Sequence, residues 1–156
     1  MKLVLLSIET SKLEWFGIAS EIYRQKISHY VPFEIVRLKS KEGSRDAQDR
    51  KIASEGEIIL KRIEPADFVI LCDEKGAMTD SKQFSKKMIS ALESGKKRLV
   101  FVIGGAFGVS DDVKARANWT WNLSSMTLNH FVAQVVALEQ IYRGLTIWKG
   151  VPYHNE

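Results

Sequence analysis

The sequence is poor in the residues that build disulfides and metal centres. It contains one cysteine, Cys72, and three histidines among its 156 residues. A single cysteine excludes an internal disulfide and suits a reducing compartment, which predicts a cytoplasmic protein. The positions of His29, His130 and His154 do not have the spacing of metal ligands, so no metal site is predicted.

Long apolar runs are also missing. No stretch of about 18 consecutive apolar residues occurs, and no membrane span is predicted. The apolar run from Leu3 to Ile8 resembles the start of a signal peptide, but it stops at Glu9 and no small-residue cleavage site follows. We therefore interpret this run as a buried first strand.

Three common catalytic signatures are absent as well. The chain contains neither G-x-G-x-x-G nor G-x-x-x-x-G-K-[ST], and it lacks the G-x-S-x-G elbow of many hydrolases. A nicotinamide-dependent oxidoreductase is an open alternative that lacks its glycine fingerprint. The adjacent carboxylates Asp73 and Glu74 are interpreted as part of a solvated turn.

The overall composition is that of an ordinary globular protein. With 45% hydrophobic and 27% charged residues, the chain is expected to form one domain over residues 1–156. Its net charge of +4 would suit a polyanionic partner, although charge alone does not establish one.

Strand-like and helix-like segments alternate along the chain. This alternation predicts an α/β fold, a mostly parallel sheet flanked by helices. The predicted strands are Leu3–Ile8, Phe33–Leu38, Phe68–Cys72, Leu99–Ile103 and Trp119–Leu123. The predicted helices are Lys12–Ile27, Ala47–Arg62, Ser81–Glu93, Ser110–Ala117 and Phe131–Trp148. Asp46 and Ser110 are expected to cap helices, and Asp73–Gly76 is expected to be a loop.

Two loops that follow predicted strands are candidates for binding a ligand. One holds Gly104, Gly105 and Gly108, and the other runs through the hydroxyl-rich segment 123–129. Glycines let a ligand approach the backbone closely, and the crevice beyond the carboxyl ends of parallel strands is the usual binding place in such sheets. The residues alone predict a cofactor crevice, with a plain connecting turn as the alternative for the glycines.

Four strings of the sequence carry a more specific signal. They are Val102–Gly108, Leu123–His130, Glu139–Gly144 and Pro152–His154. Their order and separation resemble the ribosomal RNA large subunit methyltransferase H family of the SPOUT superfamily. The resemblance implies a C-terminal trefoil knot, a homodimer, S-adenosyl-L-methionine as cofactor, and N3-methylation of a pseudouridine in 23S rRNA of the large ribosomal subunit.

The resemblance also implies roles for individual residues. The implied cofactor-binding positions are Cys72, Gly104, Gly105, Ser124, Ser125, Met126, Thr127, Leu128 and Asn129. Tyr153 and His154 are expected to lie over the cofactor and to position the substrate or remove a proton. Arg143 is expected to anchor a phosphate or the partner subunit. The chain departs from the family pattern at Gln134, Val151 and Asn155, where basic residues are usual.

Other functions remain open on the sequence. A methyltransferase of the same fold that acts on another RNA would share every cofactor motif, and a non-catalytic ribosome-binding protein would explain the missing basic residues. The last helix, Phe131–Trp148, has apolar residues over much of its circumference. Such a helix must be covered on more than one side, which is consistent with a subunit interface.

Overall fold

A computed structural model describes residues 1–40 and 47–155 of the chain. Within these ranges five strands form one sheet: β1 (Lys2–Glu9), β2 (Phe33–Lys39), β3 (Phe68–Met78), β4 (Arg98–Ile103) and β5 (Trp119–Asn122). Their order is β2-β1-β4-β3-β5, and every neighbouring pair is parallel. The predicted α/β fold with a mostly parallel sheet is confirmed.

Helices cover both faces of the sheet. They are α1 (Glu14–Ser28), α2 (Gln48–Leu60), α3 (Ser81–Leu92), α4 (Asp111–Arg116) and α5 (His130–Trp148). Side chains of α1, α3 and α5 share a core with one face, and those of α2 and α4 share a core with the other. Because both faces are covered, the central strands β1 and β4 are apolar almost without interruption.

The local signals for helix ends are met where they fall within the described residues. The Ser110 side chain accepts a hydrogen bond from the backbone N–H of Val113, which caps α4. Gly95 follows the C-cap residue of α3 and has a φ of +78°, a conformation that favours glycine. Asp46, the other predicted cap, lies outside the described residues.

The prediction of a loop over Asp73–Gly76 is wrong, since β3 continues through it to Met78. Trp121 on β5 pairs with both Cys72 and Ala77, so the intervening residues bulge from the strand. At Gly76 a Cβ atom would lie 2.7 Å from backbone atoms of β5, and only glycine permits this approach. The turn-like composition of Asp73–Gly76 therefore marks a bulge within a strand and not a loop.

The apolar residues of α1 divide between two environments. Phe16 and Ile27 are buried, whereas Trp15, Ile18 and Ile22 are exposed. The helix therefore presents a second apolar side to solvent. In the described part of the chain, no helix is long and apolar enough to cross a membrane.

Candidate active site

The carboxyl ends of four strands bring the predicted ligand loops to one edge of the sheet. Ser7 of β1 pairs with Ile103 of β4, and Ile103 pairs with Cys72 of β3. Cys72 in turn pairs with Trp121 of β5. The glycine turn after β4 and the loop after β5 therefore leave the sheet at the same edge, where open α/β sheets bind ligands.

The turn after β4 is tight and closely packed. The N–H of Gly108 donates to the carbonyl of Gly105 at 3.1 Å, and Gly108 has a φ of +88°. A Cβ atom at Gly105 would collide with the carboxylate of Glu55 on α2. Glycine at this position thus makes room for a carboxylate next to the turn.

Glu55 is a functional candidate that the sequence interpretation missed. The residue is only 2% exposed, and its Oε1 has no hydrogen-bond partner among the described residues. Orphaned buried polar atoms are few in native proteins and often mark a site that a ligand or water completes. The available signal was its spacing: Ile52, Glu55 and Ile59 share one helical face.

The loop after β5 is shaped by its own short polar side chains. Asn122 accepts a hydrogen bond from the N–H of Ser124, and the Ser124 hydroxyl accepts one from the N–H of Met126, both at 3.0 Å. Asn129 then caps α5 by accepting from the N–H of Phe131. Ser125, Met126, Thr127 and Asn129 are exposed, and Leu128 is half-buried. The loop offers hydroxyls and backbone groups to a ligand.

His130 ties this loop to β1. Its Nε2 lies 2.6 Å from the carbonyl oxygen of Ile8, and since a carbonyl only accepts, Nε2 carries the proton. Burial lowers the pKa of His130, while the bond to Ile8 and the Glu55 carboxylate oppose that change. The imidazole is therefore neutral at physiological pH. From the sequence His130 was considered only as a possible metal ligand, and this role was missed.

Cys72 lies at the carboxyl edge of the sheet, between Ile103 of β4 and Trp121 of β5. Burial, together with the adjacent Asp73 carboxylate, raises the pKa of the Cys72 thiol to about 12. A thiol with such a pKa is neutral and is a poor nucleophile at physiological pH. Cys72 can line a pocket here but is not suited to covalent catalysis.

The three predicted catalytic residues lie close together: Arg143 belongs to α5, and Tyr153 and His154 follow the helix and pack against it. Arg143 donates two hydrogen bonds to Glu139 Oε1, at 2.6 and 2.9 Å, and lies 3.3 Å from Nδ1 of His154. Its guanidinium also lies 4.5 Å from the centre of the Tyr153 ring. The Tyr153 and Tyr23 hydroxyls both donate to Glu139 Oε2. The tail after α5 is therefore docked on this helix, and Glu139 is its central acceptor.

The charge state of this tail cluster follows from its hydrogen bonds. Burial works to raise the pKa of Glu139, but hydrogen bonds from Tyr23, Arg143 and Tyr153 outweigh it and the net pKa is lowered. Burial and the bond to Glu139 raise the pKa of Tyr153. At neutral pH Glu139 is an ionised acceptor and Tyr153 a protonated donor.

The tail cluster and the strand-end loops are separate within one chain. Glu139 lies nine residues beyond His130 on α5, about 14 Å along the helix axis. No hydrogen bond among residues 1–40 and 47–155 joins the tail to the loop 124–129. The same ranges contain no group of three side chains placed to hold a metal ion.

An open parallel sheet with the predicted ligand loops gathered at its carboxyl edge defines an α/β protein with a candidate small-molecule site. A solved structure described as a probable methylase family protein from Haemophilus influenzae has the same fold. Its TM-score is 0.53 at 12% identity, over 95% of this chain and 66% of that one. A family model described as "Predicted SPOUT methyltransferase" matches residues 1–154.

Curated relatives match the sequence of this chain over its full length. A protein of Bdellovibrio bacteriovorus named ribosomal RNA large subunit methyltransferase H is 49% identical over 155 residues, 99% of both chains. One of the same name from Parabacteroides distasonis is 38% identical over 159 residues, 100% of both. The chain belongs to the ribosomal RNA large subunit methyltransferase H family of SPOUT methyltransferases. The resemblance seen in the sequence is confirmed, and the protein is a methyltransferase.

Proposed function

We propose that this enzyme transfers a methyl group from S-adenosyl-L-methionine to N3 of a pseudouridine in 23S rRNA of the large ribosomal subunit. The observation that carries the proposal is the full-length match to relatives named for methylation of large-subunit ribosomal RNA. The matched segments include the two loops at the carboxyl edge, which supports a role for that edge in the shared activity.

The residues at the edge fit this cofactor. The orphaned Glu55 carboxylate beside Gly105 suits a ligand that bears positive charge and hydrogen-bond donors. The exposed hydroxyls and backbone groups of the loop 124–129 suit its polar parts. When bound, S-adenosylmethionine supplies an activated methyl group on a positively charged sulfur. We assign its binding to Cys72, the Gly104–Gly105 turn and the loop from Ser124 to Asn129.

The tail cluster is assigned to the acceptor side of the reaction. N3 of the pyrimidine loses its proton and forms a bond to the methyl carbon as the carbon–sulfur bond breaks. We assign removal of that proton to His154, and substrate positioning to Tyr153, whose raised pKa favours a hydrogen-bond donor. Arg143, which contacts both residues, holds them and offers charge to a phosphate.

A second copy of the chain would bring the tail to the cofactor loops. Within one chain Glu139 lies about 14 Å along α5 from His130, and the described residues show no hydrogen bond between the tail and the loop 124–129. Trp15, Ile18 and Ile22 on α1 and Val132 on α5 are 40–57% exposed, and their helices pack side by side. An apolar surface of this kind suits a subunit interface, and we assign it to a homodimer in which the tail of each copy serves the partner's site.

The dimer assignment is tested by sedimentation of the wild type and of Ile18→Asp. We expect a dimer for the first and a monomer for the second, because an unpaired charge does not tolerate burial in an apolar interface. Mixing His154→Ala with Gly105→Val should restore activity if tail and cofactor loops come from different copies. A monomeric wild type, or no recovery on mixing, would contradict the assignment.

Two further properties belong to the proposal. A cytoplasmic location agrees with the single cysteine and with a ribosomal substrate. The trefoil knot implied by the resemblance would hold the loop after β5 against the glycine turn, and it stays a prediction.

The proposed activity is tested by methyl transfer from labelled S-adenosylmethionine to isolated large ribosomal subunits. Mass spectrometry of the digested RNA should place one methyl group on a pseudouridine of 23S rRNA. Methylation of transfer RNA instead would indicate another RNA substrate. Failure to bind S-adenosylmethionine at millimolar concentration would indicate a ribosome-binding protein without catalysis.

A further inference from the structure

A second cleft lies beside the cofactor loops, at the carboxyl ends of β1 and β2. Its volume is about 270 Å³, and its walls come from the end of β1, the start of α1, Arg37 of β2 and the start of α5. Ser7 in this cleft pairs with Ile103, the residue immediately before the Gly104–Gly105 turn. A cleft slightly below the ~300 Å³ of small ligand sites accommodates one ring system, not a dinucleotide.

Two buried polar atoms among the residues that line this cleft have no partner. Ser7 is 1% exposed and Gln134 is 2% exposed. The Ser7 hydroxyl and Gln134 Oε1 make no hydrogen bond to any described residue. Both residues line the cavity, and a ligand whose polar edge meets the two atoms would satisfy them.

The donor and acceptor roles of these two side chains follow from the hydrogen bond that Gln134 already makes. Gln134 Nε2 donates to the carbonyl of His130 at 3.3 Å, which leaves Oε1 as an acceptor. The Ser7 hydroxyl is free to donate. The complementary ligand therefore presents one hydrogen-bond donor and one acceptor, between apolar walls formed by Phe16 and Phe131.

The charges at the cleft favour a neutral ligand. Lys12 and Arg37 line it together with Glu9 and Glu14, so two cations are balanced by two carboxylates. The Arg37 guanidinium is also engaged, 4.8 Å from the centre of the Phe16 ring. A phosphate or carboxylate would find no excess of positive charge here.

We propose that this cleft holds the pyrimidine ring of the acceptor nucleotide, with Gln134 accepting from a ring N–H and Ser7 donating to a ring carbonyl. The assignment rests on the proposed function and adds the place of its substrate. Pseudouridine carries N–H groups at both N1 and N3, so one is available for recognition while the other is methylated. Uridine has only the N3–H, so in this chain a hydrogen bond from N1–H to Gln134 would favour pseudouridine over uridine.

The test measures binding of the nucleotide separately from activity. The protein is saturated with S-adenosylhomocysteine, so no transfer occurs, and saturation-transfer NMR follows pseudouridine 5′-monophosphate titrated to millimolar concentration. We expect the wild type to prefer this nucleotide over uridine 5′-monophosphate. Gln134→Leu and Ser7→Ala should each weaken its binding about tenfold, the usual scale for a lost buried hydrogen bond. Ser90→Ala, on the exposed side of α3, is the matched control and should bind as the wild type does.

Each outcome bears on the cleft independently of the enzyme's activity. Affinity for S-adenosylhomocysteine should be unchanged in all three variants, and Ser7→Ala, which only removes an oxygen, guards against misfolding of Gln134→Leu. Unchanged nucleotide binding in both variants would overturn the proposal. In a sample prepared without S-adenosylhomocysteine, nucleotide binding that is abolished when S-adenosylhomocysteine is added would also overturn the proposal and give the cleft to the cofactor. If the wild type methylates ribosomes but does not bind the nucleotide, the assignment of the cleft to the acceptor nucleotide is wrong. The proposed function would be unaffected by that result.

Discussion

The imidazole of His130 donates a hydrogen bond of 2.6 Å to the carbonyl oxygen of Ile8, 122 residues away in sequence. The bond joins the first residue of α5 to the end of β1. The loop 124–129 immediately precedes His130, so the same bond fixes one end of the proposed cofactor loop. This hydrogen bond thereby links the proposed cofactor loop to the end of β1, which forms one wall of the second cleft.

Replacement of His130 by alanine should destabilise the protein by about 1–3 kcal/mol, because the Ile8 carbonyl loses its partner in a largely buried place. Urea unfolding measures the loss. His29→Ala, on the exposed C-cap of α1, is the control and should change stability by less than about 0.5 kcal/mol. Equal losses in the two variants would show that the bond to Ile8 contributes nothing.

The lowered pKa of His130 predicts that the stability of the folded protein depends on pH. Burial lowers its pKa in the folded state below the ordinary value of 6.5, so the unfolded chain binds the proton first. Its contribution to stability is complete above pH 6.5 and is lost as the pH falls from there through the folded pKa. Urea unfolding between pH 7.5 and 5 should show this decline in the wild type, and the decline should be smaller in His130→Ala.

Gly105→Ala should destabilise the protein by about 1–3 kcal/mol, because the added Cβ collides with the Glu55 carboxylate. The double variant Gly105→Ala/Glu55→Ala should recover part of the loss, since it removes the obstacle. Gly17→Ala is the control for stability: a Cβ there meets nothing within 4 Å, and alanine in a helix should stabilise by about 0.4–1 kcal/mol. Thermal unfolding of the wild type, Gly105→Ala, Glu55→Ala, the double variant and Gly17→Ala separates these cases. A purely additive double variant would contradict the collision.

Sequence patterns predict the parts of this molecule that depend on local periodicity. The strand ends at Ile103 and Cys72 follow from apolar runs, and their parallel arrangement places the glycine turn and the loop after β5 at one edge. The bulge after Cys72 depends on pairing with β5, which no local pattern encodes. Glu55 was missed because charged residues are normally solvated. The bond from His130 to Ile8 is long-range, so it emerges only from the folded chain.

Asp67 and Arg98 form an ion pair that should dominate stability far from the active site. Two hydrogen bonds of 2.6 and 2.8 Å join them, and the Asp67 side chain is fully buried. Asp67→Asn should cost about 1.5–3 kcal/mol, because it removes the charged acceptor of two Arg98 hydrogen bonds and leaves in place the longer ion pair of Arg98 with Glu64. Glu34→Gln, which breaks the exposed pair with Lys2, should cost no more than about 1 kcal/mol. Denaturant unfolding provides the comparison, and similar losses would refute a special role for the pair.

The pair also predicts acid sensitivity. Burial opposes ionisation of Asp67, but hydrogen bonds from Arg98 and from the Glu64 N–H outweigh it, and the pKa of Asp67 is lowered from 3.8. The folded state thus holds its proton less tightly than the unfolded state. The stability that Asp67 contributes is complete above its unfolded pKa and is lost as the pH falls through the folded pKa. Unfolding curves between pH 5 and 2 should show a loss of stability that is smaller in Asp67→Asn than in the wild type.

Tyr23→Phe and Tyr153→Phe separate docking of the tail from its proposed role in the reaction. Each variant removes one hydroxyl that donates to the same Glu139 oxygen, so each should cost about 1.5–3 kcal/mol for a bond to a charged acceptor. If Tyr153 also positions the substrate, only Tyr153→Phe should lower kcat beyond what the loss of docking explains. Hydrogen exchange of residues 150–155 measures docking, and single-turnover methylation of ribosomal subunits measures the reaction. Equal effects on methylation would mean that Tyr153 holds the tail in place without touching the substrate.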